Sequence, residues 1–500
     1  MNIYLILIFV ALILRGYLLF KTKVNFDEYG HYLFTKFTLS STKFHPNKID
    51  LNIVNSEPFE YPLLWQATIG RIFYSSNIFN DRLKLLFLET IIVITSALLL
   101  SSEVNPFQLI LFYLLSPFSF TSFSTGPRLG FSPRLSIELI SSIGFIFLFL
   151  GLSKSEYFFL FMSLIMFTYS CLAAKFANQA IFIIMLLISI FLLSFEMLLF
   201  SLILFFFCNI CSKGEHIKQL KQQFLHLKWW QQKSSLGLVT YDSRIFPKFN
   251  LGVNVKEFLK QIFDQFLFKN SITSVFFKNP IIYLSISFIF IDFFNQATSF
   301  NNIQLAELNN FILFAFMSSF IVWILTSTKK FLFLGESERY FNYVWPFPIL
   351  IFFEHELSNQ IFHWFIIYGF IYLIFELSFK ILNKDSKKNN TGVFKFLSNL
   401  PSSNILFTKY HVSGGVWRAL CETNHKVLYP ISAGEIERNI FEKKYPSKNV
   451  ITDIENKFIL HIAKDYSIKY IISQVDNIQL ENVLEKIIYR DKNFVVYELP

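Results

Sequence analysis

Cysteine is scarce, 4 in 500 residues. Cys171, Cys208 and Cys211 lie in apolar runs, and Cys421 stands alone in a polar tail. That excludes a disulfide framework and leaves the redox compartment unread. Cys208-Asn209-Ile210-Cys211 has CxxC spacing, but no second Cys or His pair accompanies it, so no zinc site is expected there. The tail lacks a Walker lysine motif and a glycine fingerprint, and Ser413-Gly414-Gly415 reads as a turn rather than a phosphate cradle. The N-terminal apolar run begins without a basic region and lacks a clear small-residue cleavage site, so it is expected to be a retained anchor rather than a signal peptide.

What is present is apolar. With 53% hydrophobic residues and a mean hydropathy of +0.45, the chain carries more apolar surface than one soluble core can hold, which puts most of it in lipid. The 66 Phe, with abundant Ile, Asn and Lys, carry the signature of AT-rich codons as much as a structural demand. The net charge of +10 is spread through loops beside apolar runs, so anionic head groups or phosphate-bearing lipids are the expected counter-charges and no nucleic acid is expected.

Residues 2–20 form the first span, closed by Lys21 and Lys23. A polar loop over 21–83 follows, and then spans at about 85–102, 107–124, 135–153 and 157–174. Residues 179–211 read as two short spans turning near Ser194-Phe195-Glu196, or as one tilted helix. In the second polar loop, 213–279, Val255, Leu259, Ile262, Phe263, Phe266 and Leu267 share one face, as an interfacial helix requires. Spans at 281–297, 308–326, 341–353 and 361–382 bring the expectation to about eleven in a polytopic α-helical membrane domain, 1–382. A linker at 383–402 leads to a small C-terminal α/β domain, 403–500. Its expected strands are at 405–407, 427–429, 470–472 and 494–497. One expected helix is capped by Thr452 and Glu455, and another has Leu480, Val483, Leu484, Ile487 and Ile488 on its apolar face.

The candidate chemistry starts at Asn25-Phe26-Asp27-Glu28-Tyr29-Gly30-His31-Tyr32, within about two helical turns of the bilayer edge. Ionised groups held beside hydrocarbon are costly unless partnered or used, which makes Asp27 and Glu28 functional candidates. The competing reading is a solvated acidic loop start beside Lys21 and Lys23. With eleven spans, the loops at 21–83, 125–134, 213–279 and 327–340 and the tail share one face. That face collects Asp27, Glu28, His31, Glu57, Glu60, Arg128, Arg134, Glu338, Arg339 and Tyr340. Arginine forks bind phosphate oxygens and a carboxylate takes a proton from a hydroxyl, so a phosphate-bearing lipid fits such a surface. Each arginine alone also fits a head-group anchor.

At these residues the chain resembles the GT-C superfamily of integral-membrane glycosyltransferases, which includes protein mannosyltransferases and lipid A aminoarabinose transferases. The carriers are the acidic pair Asp27-Glu28, the proline-bearing Tyr61-Pro62-Leu63-Leu64, the segment Glu338-Arg339-Tyr340, and a tail ending in Tyr489-Arg490-Asp491-Lys492-Asn493-Phe494-Val495-Val496-Tyr497. The family usually has more proline in the second segment, and Gly30-His31 matches no family pattern.

The resemblance implies transfer of a sugar from a polyprenyl-phosphate donor to a glycan, lipid or protein acceptor, with inversion. Asp27 would be the base and Glu28 its assistant or a cation holder. Arg128, Arg134 or Arg339 would steady the leaving phosphate, with His31, Glu60, Glu338 and Tyr340 among the binding residues. Metal use differs among members, so a divalent cation is left open. The family places its site and tail outside the cytoplasm, here outside a bacterial inner membrane. The positive-inside rule argues the reverse for Arg128, Arg134, Lys175, Lys329, Lys330 and Arg339, while segments longer than about 60 residues escape it. Two other classes stay open. One is a carrier or flippase of lipid-linked sugars, which would hold polar groups at mid-membrane; Glu89, Glu138, Glu196, Asp292 and Glu376 lie in or near spans, mostly close to their ends. The other is a non-catalytic scaffold that uses the tail as a binding module.

Overall fold

The computed structural model describes residues 3–22, 24, 26–40, 48–49, 53–54, 59–60, 62–75, 77–120, 130–235, 254, 257, 280–298, 307–327, 331, 334, 339–354, 358–382, 391–408, 415–429, 441, 443–446, 456–475 and 486–500. The chain is mostly helical with a small sheet. Helix α1 (Ile3–Lys21) is 19 residues long, or about 28 Å, close to the roughly 30 Å of hydrocarbon in a bilayer. Its end is tied off by Thr22, whose amide and hydroxyl both donate to the Leu18 carbonyl, at 2.9 and 2.8 Å. Ile3, Phe9, Ile13 and Phe20 face outward from it, as do Phe195, Phe206 and Ile210 farther along the chain. Large apolar side chains in that position face lipid, and the chain is an integral membrane protein. Among the described residues, three helices are long and apolar enough by themselves to cross a membrane: Ile3–Lys21, Pro133–Lys154 and Ser358–Ser378.

Other helices pack against these. Helix α2 (Phe26–Ser40) follows α1, and α3 (Ile78–Leu99) is capped by Asn77, whose side chain accepts from the Phe79 amide at 3.0 Å. Helix α4 (Pro106–Leu115) is shorter than the expected span at 107–124. Pro117 has no N–H with which to continue the helix, and the chain passes into a 3-10 turn, Pro117–Ser119. Next come α5 (Pro133–Lys154), α6 (Tyr157–Ala173), α7 (Lys175–Phe191) and α8 (Phe195–Cys211). The stretch 179–211 is therefore two helices, which turn at Leu193 (φ 49°) with Ser194 capping the second. Helix α9 (Glu215–Ser235) bends 110° away from α8. After α10 (Pro280–Thr298) and α11 (Glu307–Ser327), the expected span at 341–353 is broken into α12 (Arg339–Tyr343) and α13 (Pro346–Glu354). The Pro346 ring cannot sit over the carbonyl four residues back in a continuous helix. Helix α14 (Ser358–Leu382) completes the set. All of the interfacial helix expected over 255–267 except Glu257 lies outside the described residues.

Within the stretch read as a linker, α15 (Thr391–Ser398) buries Val393, Phe394 and Leu397 in the core of the tail. That core is built on strands β3 (Asn404–Phe407), β4 (Lys426–Val427), β5 (Ile468–Gln474), β6 (Ile487–Arg490) and β7 (Phe494–Glu498), in the order β4-β3-β5-β7-β6. The first three are parallel, and β7 and β6 are antiparallel to their neighbours. Ile487 and Ile488, expected on a helix face, are in β6: cross-strand pairing with β7 overrides a local periodicity that fits either element. Helices α16 (Gly415–Glu422) and α17 (Ile459–Asp465) complete the α/β pattern. Two short strands in the first loop, β1 (Lys48–Ile49) and β2 (Phe59–Glu60), pair with each other. Between them the Val54 amide donates to the Val427 carbonyl at 3.1 Å, covering the edge strand β4.

Helix α2 belongs to both halves. Leu33 and Phe34 are buried in the core of the tail, Phe34 meets Trp417 edge to face at 5.5 Å, and the Trp417 indole lies against the α-carbon of Gly30. The Cys421 thiol donates to the Tyr29 carbonyl at 3.3 Å. The face of α2 bearing Asp27, Glu28 and His31 meets α3, α5 and the turn that begins at Gln66.

Candidate active site

Asp27 and Glu28 are in the first turn of α2, where the helix dipole favours carboxylates. They have different surroundings. Glu28 is 1% exposed and receives a two-pronged contact from Arg82 on α3, Nε to Oε1 at 2.8 Å and Nη2 to Oε2 at 3.1 Å. The Phe131 amide also donates to Oε1, at 2.8 Å. The remaining Arg82 nitrogen, Nη1, donates to the Thr22 and Leu19 carbonyls at the end of α1, at 2.7 and 3.3 Å. One arginine thus satisfies orphan carbonyls of α1 and fixes the start of α2. Glu28, expected to assist the base or hold a cation, is in a buried ion pair that positions the helix.

Gly130 lets this pair close. A Cβ there would meet the Glu28 carboxylate, with Glu28 Cγ only 3.1 Å away. Gly130→Ala is expected to lower stability by about 1–3 kcal/mol, read as a drop in thermal midpoint. Gly16→Ala, where nothing lies within 4 Å, should lose none, and an unchanged midpoint for Gly130→Ala would refute the close approach.

Asp27 is the accessible member, with its side chain 32% exposed. It pairs with Arg134, in the first turn of α5, whose side chain is 24% exposed. Four residues along, on the same face of α5, Glu138 accepts from Arg339 Nε at 2.8 Å and from Asn342 Nδ2 at 3.1 Å. The Arg339 guanidinium stacks over the Phe176 ring at 4.1 Å, a cation–π contact that holds it flat. Helix α5 therefore joins two carboxylate–arginine pairs, one from α2 and one from α12.

His31 is one turn after Asp27 and buried. Its Nδ1 lies 3.2 Å from Gln66 Nε2, and its ring meets Trp65 and Phe34 edge to face at 6.4 and 6.1 Å. Trp65 is held in turn by donating Nε1 to Ser136 Oγ at 2.7 Å. Burial, then the positive charges of Arg134 and Arg339, push the His31 pKa down to about 3, so the ring is neutral at physiological pH. Tyr340 is buried against Phe176, with ring centroids 5.0 Å apart, and its hydroxyl donates to the Leu334 carbonyl at 3.3 Å. It supports the Arg339 turn from within. Arg128, Glu338 and the Glu60 side chain lie outside the described residues.

The structure thus brings Asp27, Glu28, His31, Arg134 and Arg339 together. It adds Arg82, Gln66, Glu138 and Phe176, which sequence reasoning did not assign to the site. Glu138 carried a signal, as an ionisable residue inside an apolar run. Arg15, alone in the first span, carried the same signal and meets Glu89. Arg82 and Gln66 stand in ordinary polar contexts and carried none. Among the described residues no three His, Cys, Asp or Glu side chains converge as metal ligands, and Asp27, Glu28 and Glu138 each face an arginine.

No family model matches the sequence, and no curated protein matches it. Among solved structures, ArnT from Cupriavidus metallidurans, determined bound to undecaprenyl phosphate, aligns over 99% of this chain and 97% of its own at 11% identity and a TM-score of 0.44.

Proposed function

We propose that the chain is an integral-membrane glycosyltransferase that moves a sugar from a polyprenyl-phosphate donor to an acceptor hydroxyl or amine, with inversion. The observation that carries this reading is the partly exposed Asp27 just beyond α1, paired with Arg134 and one turn from a neutral histidine that lies in the field of Arg134 and Arg339. Asp27 takes the acceptor proton as the acceptor atom attacks the anomeric carbon. The bond from that carbon to the phosphate oxygen breaks, and the departing lipid phosphate gathers charge beside Arg134 and Arg339. Preorganised donors of this kind are worth several kcal/mol elsewhere.

On this reading the N-terminus is cytoplasmic, about eleven apolar helices cross a bacterial inner membrane, and the site and tail face outward. The pairing of Arg134 with Asp27 and of Arg339 with Glu138 supports that orientation, because it gives these short-loop cations a role other than setting topology.

The test is incubation of the purified protein with a panel of polyprenyl-phosphate sugars and an assay for released lipid phosphate. Arg339→Lys should weaken donor use at least tenfold with folding intact, since lysine cannot lie over Phe176, donate to Glu138 and still offer a fork to phosphate. An unchanged donor titration would return Arg339 to a head-group anchor. The carrier reading draws on Arg15 and Glu89, deep among the helices. Arg15 is bound there to Glu89, Ser119 and the Leu114 carbonyl, so a passing head group would have to break a buried ion pair. Transbilayer movement of lipid-linked sugar without release of lipid phosphate would be the carrier's signature.

A further inference from the structure

The Gln66 side chain is fully buried at the start of a five-residue π-helical turn, Gln66–Gly70, a geometry that recurs at functional sites. The turn is wedged tightly against its neighbours. A Cβ on Gly70 would lie 2.9 Å from Thr35 Oγ1 on α2 and 3.1 Å from the Trp65 ring, and the Thr68 and Tyr169 hydroxyls share a hydrogen bond at 2.7 Å. Nothing about this packing requires a polar side chain at 66. Yet Gln66 reaches His31 Nδ1 with its amide nitrogen, at 3.2 Å, while its amide oxygen is buried without a hydrogen-bond partner among the described residues. A half-satisfied buried amide opposes folding, and a cost of that kind is characteristic of a functional site.

We propose that Gln66 is a positioning residue: by donating to Nδ1 it holds His31 as the Nε2–H tautomer, a neutral hydrogen-bond donor for an anionic oxygen of the substrate beside Arg134 and Arg339. The chemistry follows from the ring. An imidazole whose Nδ1 accepts a hydrogen bond carries its one proton on Nε2. The charged groups around it are Asp27 on its own helix, paired with Arg134 of α5, and Arg339 of α12, paired with Glu138. Two cations would repel a third, so the ring contributes a donor without adding a charge. A phosphate oxygen matches two guanidinium forks and one neutral N–H. The substrate half of this proposal rests on the lipid-phosphate reading above.

The test uses the full-length protein with 15N-labelled histidine in detergent, with the His31 ring signals found by difference against His31→Gln. The parent should show Nε2 protonated and Nδ1 bare. Gln66→Leu should give a mixture of tautomers. Gln66→Glu, an acceptor only, should draw the proton to Nδ1 and raise the His31 pKa. Binding of farnesyl phosphate, with farnesol as control, should be weaker in Gln66→Leu at every pH by the share of rings no longer in the Nε2–H form, about twofold for an even mixture. In Gln66→Glu it should be weaker still at high pH, where the Nε2–H form is nearly absent, and recover as pH falls, because His31 then becomes a cation. A purely structural role would weaken both variants alike with no new pH dependence. A parent with its proton on Nδ1, or a His31 spectrum unaltered in both variants, overturns the assignment of Gln66. A parent that binds farnesyl phosphate no better than farnesol overturns the anionic-oxygen half together with the lipid-phosphate reading, while the tautomer spectrum still decides what Gln66 does.

Discussion

Asp27→Asn should fold like the parent, bind donor nearly as well, and lose turnover by about 10²–10⁴-fold, the usual worth of a positioned proton transfer. The substitution preserves shape and keeps an oxygen for Arg134 while removing the basic carboxylate. Location supports the size of the effect. The reacting carbon of a lipid-linked sugar lies next to the phosphate at head-group depth, and Asp27 begins a helix only a few residues beyond the end of α1. It is also the exposed one of the two adjacent carboxylates. If Asp27 served only to pair with Arg134, the exchange would change stability by at most about 1 kcal/mol and leave turnover ordinary. A folded Asp27→Asn protein that releases lipid phosphate at the parent rate would eliminate Asp27 as the base.

The second large effect is expected two turns along α3 from Arg82, at Glu89. Arg15, on α1, donates to Glu89 of α3, to Ser119 Oγ and to the Leu114 carbonyl at 3.2 Å, with the rings of Tyr113 and Phe120 at 5.7 and 5.9 Å. Both charged side chains are buried, at 0% and 2% exposure. The contact ties α1 and α3 to the last turn of α4, where Pro117 has stopped the helix and left carbonyls to satisfy. Arg15→Leu removes the cation facing Glu89 in a region with little solvent, and loss of one partner from a buried pair typically costs about 3–5 kcal/mol. The expected readout is a strongly lowered thermal midpoint in detergent. Arg15→Leu with Glu89→Leu should regain much of that loss, because two apolar residues leave no charge to desolvate. A single variant as stable as the parent would show that Glu89 is already neutral or solvated.

Local order was readable along the chain. Runs of apolar residues near bilayer length mark most of the helices, because a membrane helix must satisfy its own backbone and present apolar side chains to lipid. β-Branched and aromatic runs mark β3, β5 and β7 in the tail. The turn near Ser194 and the position of Asp27 just past α1 were legible for the same reason, since each depends on neighbours within a few residues.

The partners were not legible. Glu28 meets Arg82 across 54 residues, Asp27 meets Arg134 across 107, and Glu138 meets Arg339 across 201. No period or spacing encodes such pairings; they exist only once α2, α3, α5 and α12 have packed. By itself the sequence determined that two adjacent carboxylates stand a few residues beyond the first apolar run. Which one is sealed into a buried ion pair and which stays open to solvent was decided by tertiary packing. Adjacent residues on a helix point about 100° apart, so one turned toward Arg82 and the close approach of Gly130 while the other remained at the rim.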